Sequence, residues 1–266
     1  MSGFDNGEDY MSPLIMGLII VVAAAVIAGG TALLQQRFSP PQSREGYNEV
    51  AGSVFEIVSV LYAIVLAFVL IAVWEDMQDA RSITYSESSA LVDIFWEAQD
   101  LPDEQREEVE ALAFEYADRV IEVEWPEMAA HESTGLAGWQ IIDTMQSQFD
   151  QAIDITDETS LGRAQDAGAA IQELTQARTD RLNMTYGGLS SVMWLVLIAG
   201  ALLMFGVLLL FGIPGRLAHV IVVVIAASMV ALLLFSVYEL EYPFARGIAV
   251  EPDAYRLALE RMTHIR

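Results

Sequence analysis

Four stretches of the chain read as apolar helix long enough to cross a lipid bilayer. A hydrocarbon core of about 30 Å takes about 20 residues of helix. The first stretch, 13–34, carries no charge, and 54–74 carries one, Glu56, near its start. The stretches 189–212 and 217–238 carry none. Soluble helices of this length keep a polar stripe, so burial in lipid accounts for these four. The acidic leading segment, 1–12, lacks the basic residues of a cleaved secretory signal, and the first span reads as a retained anchor. A short loop, 35–53, joins the first two spans. Ile213-Pro214-Gly215-Arg216 predicts a tight hairpin turn, 213–216, which makes the last two spans antiparallel. Trp74, Tyr186, Trp194 and Tyr238 fall near span ends, where amphipathic rings favour the interface.

The segment 75–188 has a different pattern. Ile83, Leu91, Ile94 and Phe95 extend the second span as a helix to about Gln99, where Leu101-Pro102 interrupts it. Val109, Leu112, Ala113, Tyr116, Val120 and Val123 recur at three- and four-residue spacing and predict a helix over 102–125. Trp125-Pro126 is expected to end or kink it. A third helix is predicted over 136–155. A fourth begins near Ser160 and runs toward the third span, with Gly187-Gly188 as a candidate hinge. A tail, 239–266, follows the last span. The fold class is therefore all-α: four transmembrane helices with a helical extramembrane domain between helices two and three.

Charge adds to this picture. The 37 acids face 13 bases, all arginine, for a net charge of −24. Segment 75–188 holds 26 of those acids and six arginines, so it carries about −20. Nucleic acid is excluded as a partner, because a phosphate backbone needs a basic surface. The acid excess fits either an arginine-biased solvated surface or a high-salt habitat. The chain has no cysteine, which excludes disulfides and thiolate chemistry.

Catalytic motifs are missing: there is no phosphate loop, nucleophile elbow or His-Glu-x-x-His. An enzyme is not expected, and neither is a cofactor. Glu124, Glu127 and His131 share a helical face if the helix survives Pro126. The expectation is a solvated acidic face, not a metal site. Within the spans, Glu56, Ser59, Ala63, Ala67, Leu70 and Trp74 share one side of the second helix. Two readings stay open for that side. It is a close-packing face of small residues, or it lines a pore with Glu56 at one mouth and Leu70 and Trp74 as an apolar constriction. Arg178 and Arg181, one turn apart, lie about as far before the third span as Glu87 lies after the second. Antiparallel helices would pair them as surface ions contributing about 0–1 kcal/mol, register marks of a helical stalk.

Several of these residues also form a family pattern. Tyr62-Ala63-Ile64-Val65-Leu66-Ala67-Phe68 with Trp74-Glu75 resembles the second span of the bestrophin-like family of bacterial membrane proteins. Glu87 with Ala90-Leu91, Leu101-Pro102, Tyr116 with Val120, and Glu124-Trp125 follow in order. Then come Leu174, Ala177-Arg178 and Arg181, Trp194, Phe211-Gly212, and Pro243-Phe244 with Gly247. The resemblance covers roughly 50–255. It implies four spans, a second span lining a central pore, a homo-oligomer (a pentamer, as in bestrophins) and inorganic ions as cargo. It also implies a bacterial inner-membrane location with the helical domain and both termini in the cytoplasm. Arginines near the span ends tilt only slightly toward that orientation. Phe55, Tyr62, Phe68 and Trp74 do not share a face, so the aromatic neck of bestrophin pores does not carry over onto them. Two functions follow: an oligomeric ion channel preferring cations, or a non-conducting scaffold or sensor that binds a partner through its acidic domain.

Overall fold

A computed structural model describes residues 12–38, 46, 48–152, 158–213 and 215–266. The described residues form helices α1 (Pro13–Phe38), α2 (Asn48–Glu97), α3 (Asp103–Arg119), α4 (Trp125–Ala129), α5 (Ala137–Ala152), α6 (Glu158–Thr185), α7 (Ser191–Leu210), α8 (Arg216–Leu240) and α9 (Asp253–Ile265). They group into two compact units, one of residues 1–74 and 188–241 and the other of 75–187 and 242–266.

In the first unit, α1, α7, α8 and the first half of α2 are long and apolar enough to cross a membrane. Their large side chains point outward, Leu14, Leu18, Val26, Leu202 and Leu217 among them. Outward apolar surface on this scale is stable only in lipid or against another apolar surface. This is a multi-pass membrane protein. Helix α1 packs along α8, with Gly17 against the Phe235 ring and Ala32 buried beside Val223 and Leu208. Helix α2 meets α7 through Tyr62, whose ring lies on Gly200. A Cβ at residue 200 would come within 2.6 Å of that ring, so only glycine allows this approach.

Polar side chains close the hairpin end of the unit. Gln35 donates to the Leu209 carbonyl, and Gln36 to that of Arg216 at 3.3 Å. Asn48 accepts from the Gly212 N–H at 2.8 Å and donates to its carbonyl at 3.3 Å. The Leu209 carbonyl and the Gly212 groups are ones that the end of α7 leaves open. These amides also explain two departures from the predicted bounds: α1 runs on to Phe38, and α2 begins at Asn48, inside the expected loop. At the other end Glu241 accepts from Trp194 Nε1 at 2.9 Å and from the Leu189 N–H at 3.1 Å. The predicted turn at 213–216 includes Pro214, which lies outside the described residues.

The second unit is a helical bundle with a core of its own. The α2 residues after Trp74 supply Ala80, Leu91, Ile94 and Phe95, and α3 supplies Val109, Ala113 and Tyr116. Ile142, Met145 and Phe149 come from α5, Ile171 and Leu174 from α6. The segment read as a tail joins this core: α9 buries Tyr255, Ala258 and Met262, an apolar stripe at three- and four-residue spacing. Two further expectations need correction. The helix does not end at Trp125-Pro126. A π-helical turn over Val120–Glu124, in which the Trp125 N–H reaches the Val120 carbonyl, carries it into α4. Proline lacks the N–H an α turn would need there, and the wide turn absorbs the mismatch. Nor does the fourth helix run unbroken into the third span: α6 ends at Thr185 and α7 starts at Ser191 with Ser190 as its cap, so the break includes Gly187-Gly188, the other outcome expected there. The end of the predicted third helix, 153–155, lies outside the described residues.

Candidate functional site

Helix α2 presents three sides within the first unit. Tyr62, Leu66, Val69 and Val73 are buried against the other helices. Ile57, Leu61, Ile64, Phe68 and Ile71 are large, apolar and exposed. The third side, about a quarter turn from the buried one, carries the six residues singled out from the sequence. Glu56, Ala63, Ala67 and Trp74 are exposed there, and Ser59 and Leu70 are half-buried. Ser59 donates to the Glu56 carbonyl at 3.1 Å, so its hydroxyl is satisfied locally. The Glu56 carboxylate makes no hydrogen bond or ion pair among the described residues. The chain's own helices leave this small, mildly polar side uncovered.

The second unit contains a closed charge network. Stripes from three helices converge in its core: Ala80, Thr84, Glu87 and Leu91 on α2; Val109, Ala113, Tyr116, Val120 and Glu124 from α3 through the π turn; and Ile171, Leu174, Arg178 and Arg181 on α6. Glu87, Glu124, Arg178 and Arg181 are each 0 % exposed. Arg181 Nε donates to Glu87 Oε2 at 2.6 Å, and its Nη2 reaches Glu87 Oε1 at 3.0 Å and Glu124 Oε2 at 2.9 Å. Arg178 grips Glu124 with both terminal nitrogens, at 2.7 and 2.9 Å. The Tyr116 hydroxyl links the halves: it donates to Glu87 at 2.5 Å and accepts from Arg178 at 3.1 Å. The two buried carboxylates and two buried guanidiniums balance in charge, and the partly exposed Arg119 lies 3.9 Å from Glu124 at the edge of the network. Aromatic faces surround them, with Trp139 5.0 Å from Arg178 and Trp125 5.8 Å from Arg181.

This arrangement corrects two expectations. Glu87, Arg178 and Arg181 are not surface ions, because every one lies on a core stripe. Glu124 is not part of a solvated acidic face. The π turn keeps it inward, while His131, two residues past the end of α4, has positive φ and meets the Tyr242 ring edge to face. The signal for Glu124 was available: it follows Val109, Ala113, Tyr116 and Val120 at helical spacing, so it is an acid at a core position. No sequence signal marked Gly138 or Trp139 as its neighbours. Those contacts come from α5 folding back over α6.

The geometry can be set beside known proteins. A family model described as a bestrophin-like domain matches residues 21–255. The chain belongs to the bestrophin-like family. Two crystal structures of a bacterial bestrophin homologue from Klebsiella pneumoniae resemble it. One, of a variant with a single substitution, has a TM-score of 0.69 at 14 % identity over 91 % of this chain and 98 % of the other. The second has a TM-score of 0.65 at 15 % identity over 92 % and 96 %. At such identities the likeness is one of fold. No curated protein matches the chain.

The charge network of this bestrophin-like protein also has a pH signature. Burial alone would raise the Glu124 pKa, but hydrogen bonds from Arg178 and the charges of Arg181 and Arg178 hold it below the ordinary carboxylate range. A carboxyl whose pKa is lower folded than unfolded stabilises the fold above its unfolded pKa, about 4.3. That stability is lost as pH falls through the folded value. The melting temperature should therefore hold between pH 7 and 5 and drop below about pH 4, with Glu124→Gln flattening part of the drop. Unchanged acid melting in that variant would show that the carboxylate is not held by its arginines.

Proposed function

We propose that this bestrophin-like protein is one subunit of a ring-shaped homo-oligomer, a pentamer by family resemblance, whose α2 helices surround an ion path that prefers cations. One observation carries the reading: within the membrane-spanning part of α2, an unpaired carboxylate sits on an uncovered side of small residues. A carboxylate facing hydrocarbon is costly, so that side belongs against water or another copy. Around a central axis Glu56 forms a ring of negative charge at one mouth, Ser59, Ala63 and Ala67 leave room, and Leu70 and Trp74 narrow the other end. The −20 carried by 75–188 raises the local cation concentration and repels anions. The same reading puts that domain and both termini on the cytoplasmic side of a bacterial inner membrane.

The test is conduction across planar bilayers under a salt gradient. A reversal potential near that of the cation is expected, and Glu56→Gln should lower the cation-to-anion permeability ratio by several-fold. A reversal potential tracking chloride would overturn the cation preference. Absence of current from the assembled protein would leave the non-conducting scaffold in its place.

A further inference from the structure

The first unit holds two arginines among its described residues, Arg37 and Arg216, and both stand at the hairpin end. Gln36 donates to the Arg216 carbonyl at 3.3 Å, so the last turn of α1 and the first turn of α8 lie side by side. Both arginines are exposed, and neither side chain makes a hydrogen bond or ion pair among the described residues. Glu49, in the first turn of α2, is the described acid of this end, and it pairs with neither. Arg216 opens α8, whose first turn carries no acid and whose cap, Gly215, has no side chain to offer. A cation at the positive end of a helix is unfavourable unless an anion sits beside it.

Successive side chains step round a helix by about 100°. Gln35 faces the end of α7 and Gln36 the start of α8, so Arg37 falls one step further on, on the outer flank of α1. Val26 and Leu33 lie on that same flank and are exposed. On α8, Leu217 and Ile221 are turned away from the buried Val223 and are exposed as well. The two helices approach closely between these flanks, where Gly29 meets Val224. The seam between α1 and α8 thus has two unpaired guanidiniums at its polar end and apolar side chains along its length. We infer that this seam binds one anionic glycerophospholipid, its phosphodiester bridged by Arg37 and Arg216 and its acyl chains laid along Val26, Leu33, Leu217 and Ile221. A soluble phosphate would satisfy the guanidiniums but leave the apolar flanks bare, and a lipid matches both. The site is built from a single chain, so it rests neither on the ring nor on conduction.

The test counts bound lipids. The purified protein in detergent is mixed with equal amounts of phosphatidylglycerol and phosphatidylcholine, and the lipids it retains are read by native mass spectrometry. Phosphatidylglycerol is expected to outlast phosphatidylcholine as the collision energy rises. Loss of one arginine at a lipid surface weakens binding of an anionic lipid roughly five-fold. Arg37→Gln with Arg216→Gln should therefore weaken phosphatidylglycerol binding roughly twenty-five-fold and leave phosphatidylcholine unchanged. Arg37→Lys with Arg216→Lys keeps the charge and should keep the preference. Arg163→Gln removes an arginine of the second unit and should change neither lipid. An unchanged melting temperature in lipid-free detergent shows that the exposed substitutions leave the fold intact. Equal retention of the two lipids by the parent, or a preference that survives the double glutamine variant, would overturn the site. Stabilisation by inorganic phosphate with none from phosphatidylglycerol would mean a soluble anion and would overturn the lipid as occupant.

Discussion

Arg181→Met is expected to destabilise the second unit by about 3–5 kcal/mol, seen as a fall of roughly 10 °C or more in its melting temperature. Arg181 supplies both guanidinium contacts to Glu87 and one of those to Glu124. Without it, Glu87 stays buried with only the Tyr116 hydroxyl to offset its charge, and one oxygen of Glu124 loses a donor. Methionine fills most of the volume, so the loss is electrostatic rather than a cavity effect. A second variant separates the two contributions. Arg181→Met with Glu87→Leu removes charges of both signs, and a matched pair of apolar groups costs far less than one orphaned ion. The double variant should recover more than half of the single variant's loss. A single variant that melts within about 2 °C of the parent would mean that water reaches Glu87 and the closed network does not hold. The measurement is tryptophan fluorescence in detergent, since Trp125 lies over Arg181 and Trp139 over Arg178.

Gly138→Ala should have an effect of similar size from a single methyl group. Gly138 is the second residue of α5 and lies directly on the Arg178–Glu124 pair. A Cβ there would fall 2.5 Å from Arg178 Cζ and 2.6 Å from Glu124 Oε1, well inside contact distance. Neither group can yield cheaply, because Arg178 is bound through both terminal nitrogens and Glu124 accepts from two arginines. Overpacking by one methylene usually costs about 1–3 kcal/mol. Here it also pries apart a buried ion pair, so a loss at or above the top of that range is expected. Gly168→Ala is the matched control. Gly168 is exposed on α6 with open space where its Cβ would sit. Alanine there should raise stability by about 0.5–1 kcal/mol through helix propensity. Equal melting shifts in the two variants would show that Gly138 is not held against the pair.

Runs of apolar residues specified the membrane-crossing helices, because lipid imposes length and uniform hydrophobicity on any segment that crosses it. The three- and four-residue spacing of Val109, Ala113, Tyr116 and Val120 specified a helix with one buried side. These are local properties, and composition along the chain determines them. The helix bounds moved where tertiary partners intervened: Gln35 and Gln36 drew α1 onward to meet the α7–α8 connection, and Asn48 started α2 early to meet Gly212. At Pro126 local rules left an end or a kink open, and the π turn kept the helix going through a local distortion.

The charged residues needed more than spacing. Glu87, Arg178 and Arg181 were recognisable as possible partners, but as surface ions contributing little. What reversed that reading was burial, which depends on α5 and α9 closing over the α2, α3 and α6 stripes. An ion pair's energy depends on the dielectric around it far more than on its separation in sequence. The residue types and their helical faces were written in the chain. Whether the four charges sit in water or in a dry core was decided only by which helices pack over them.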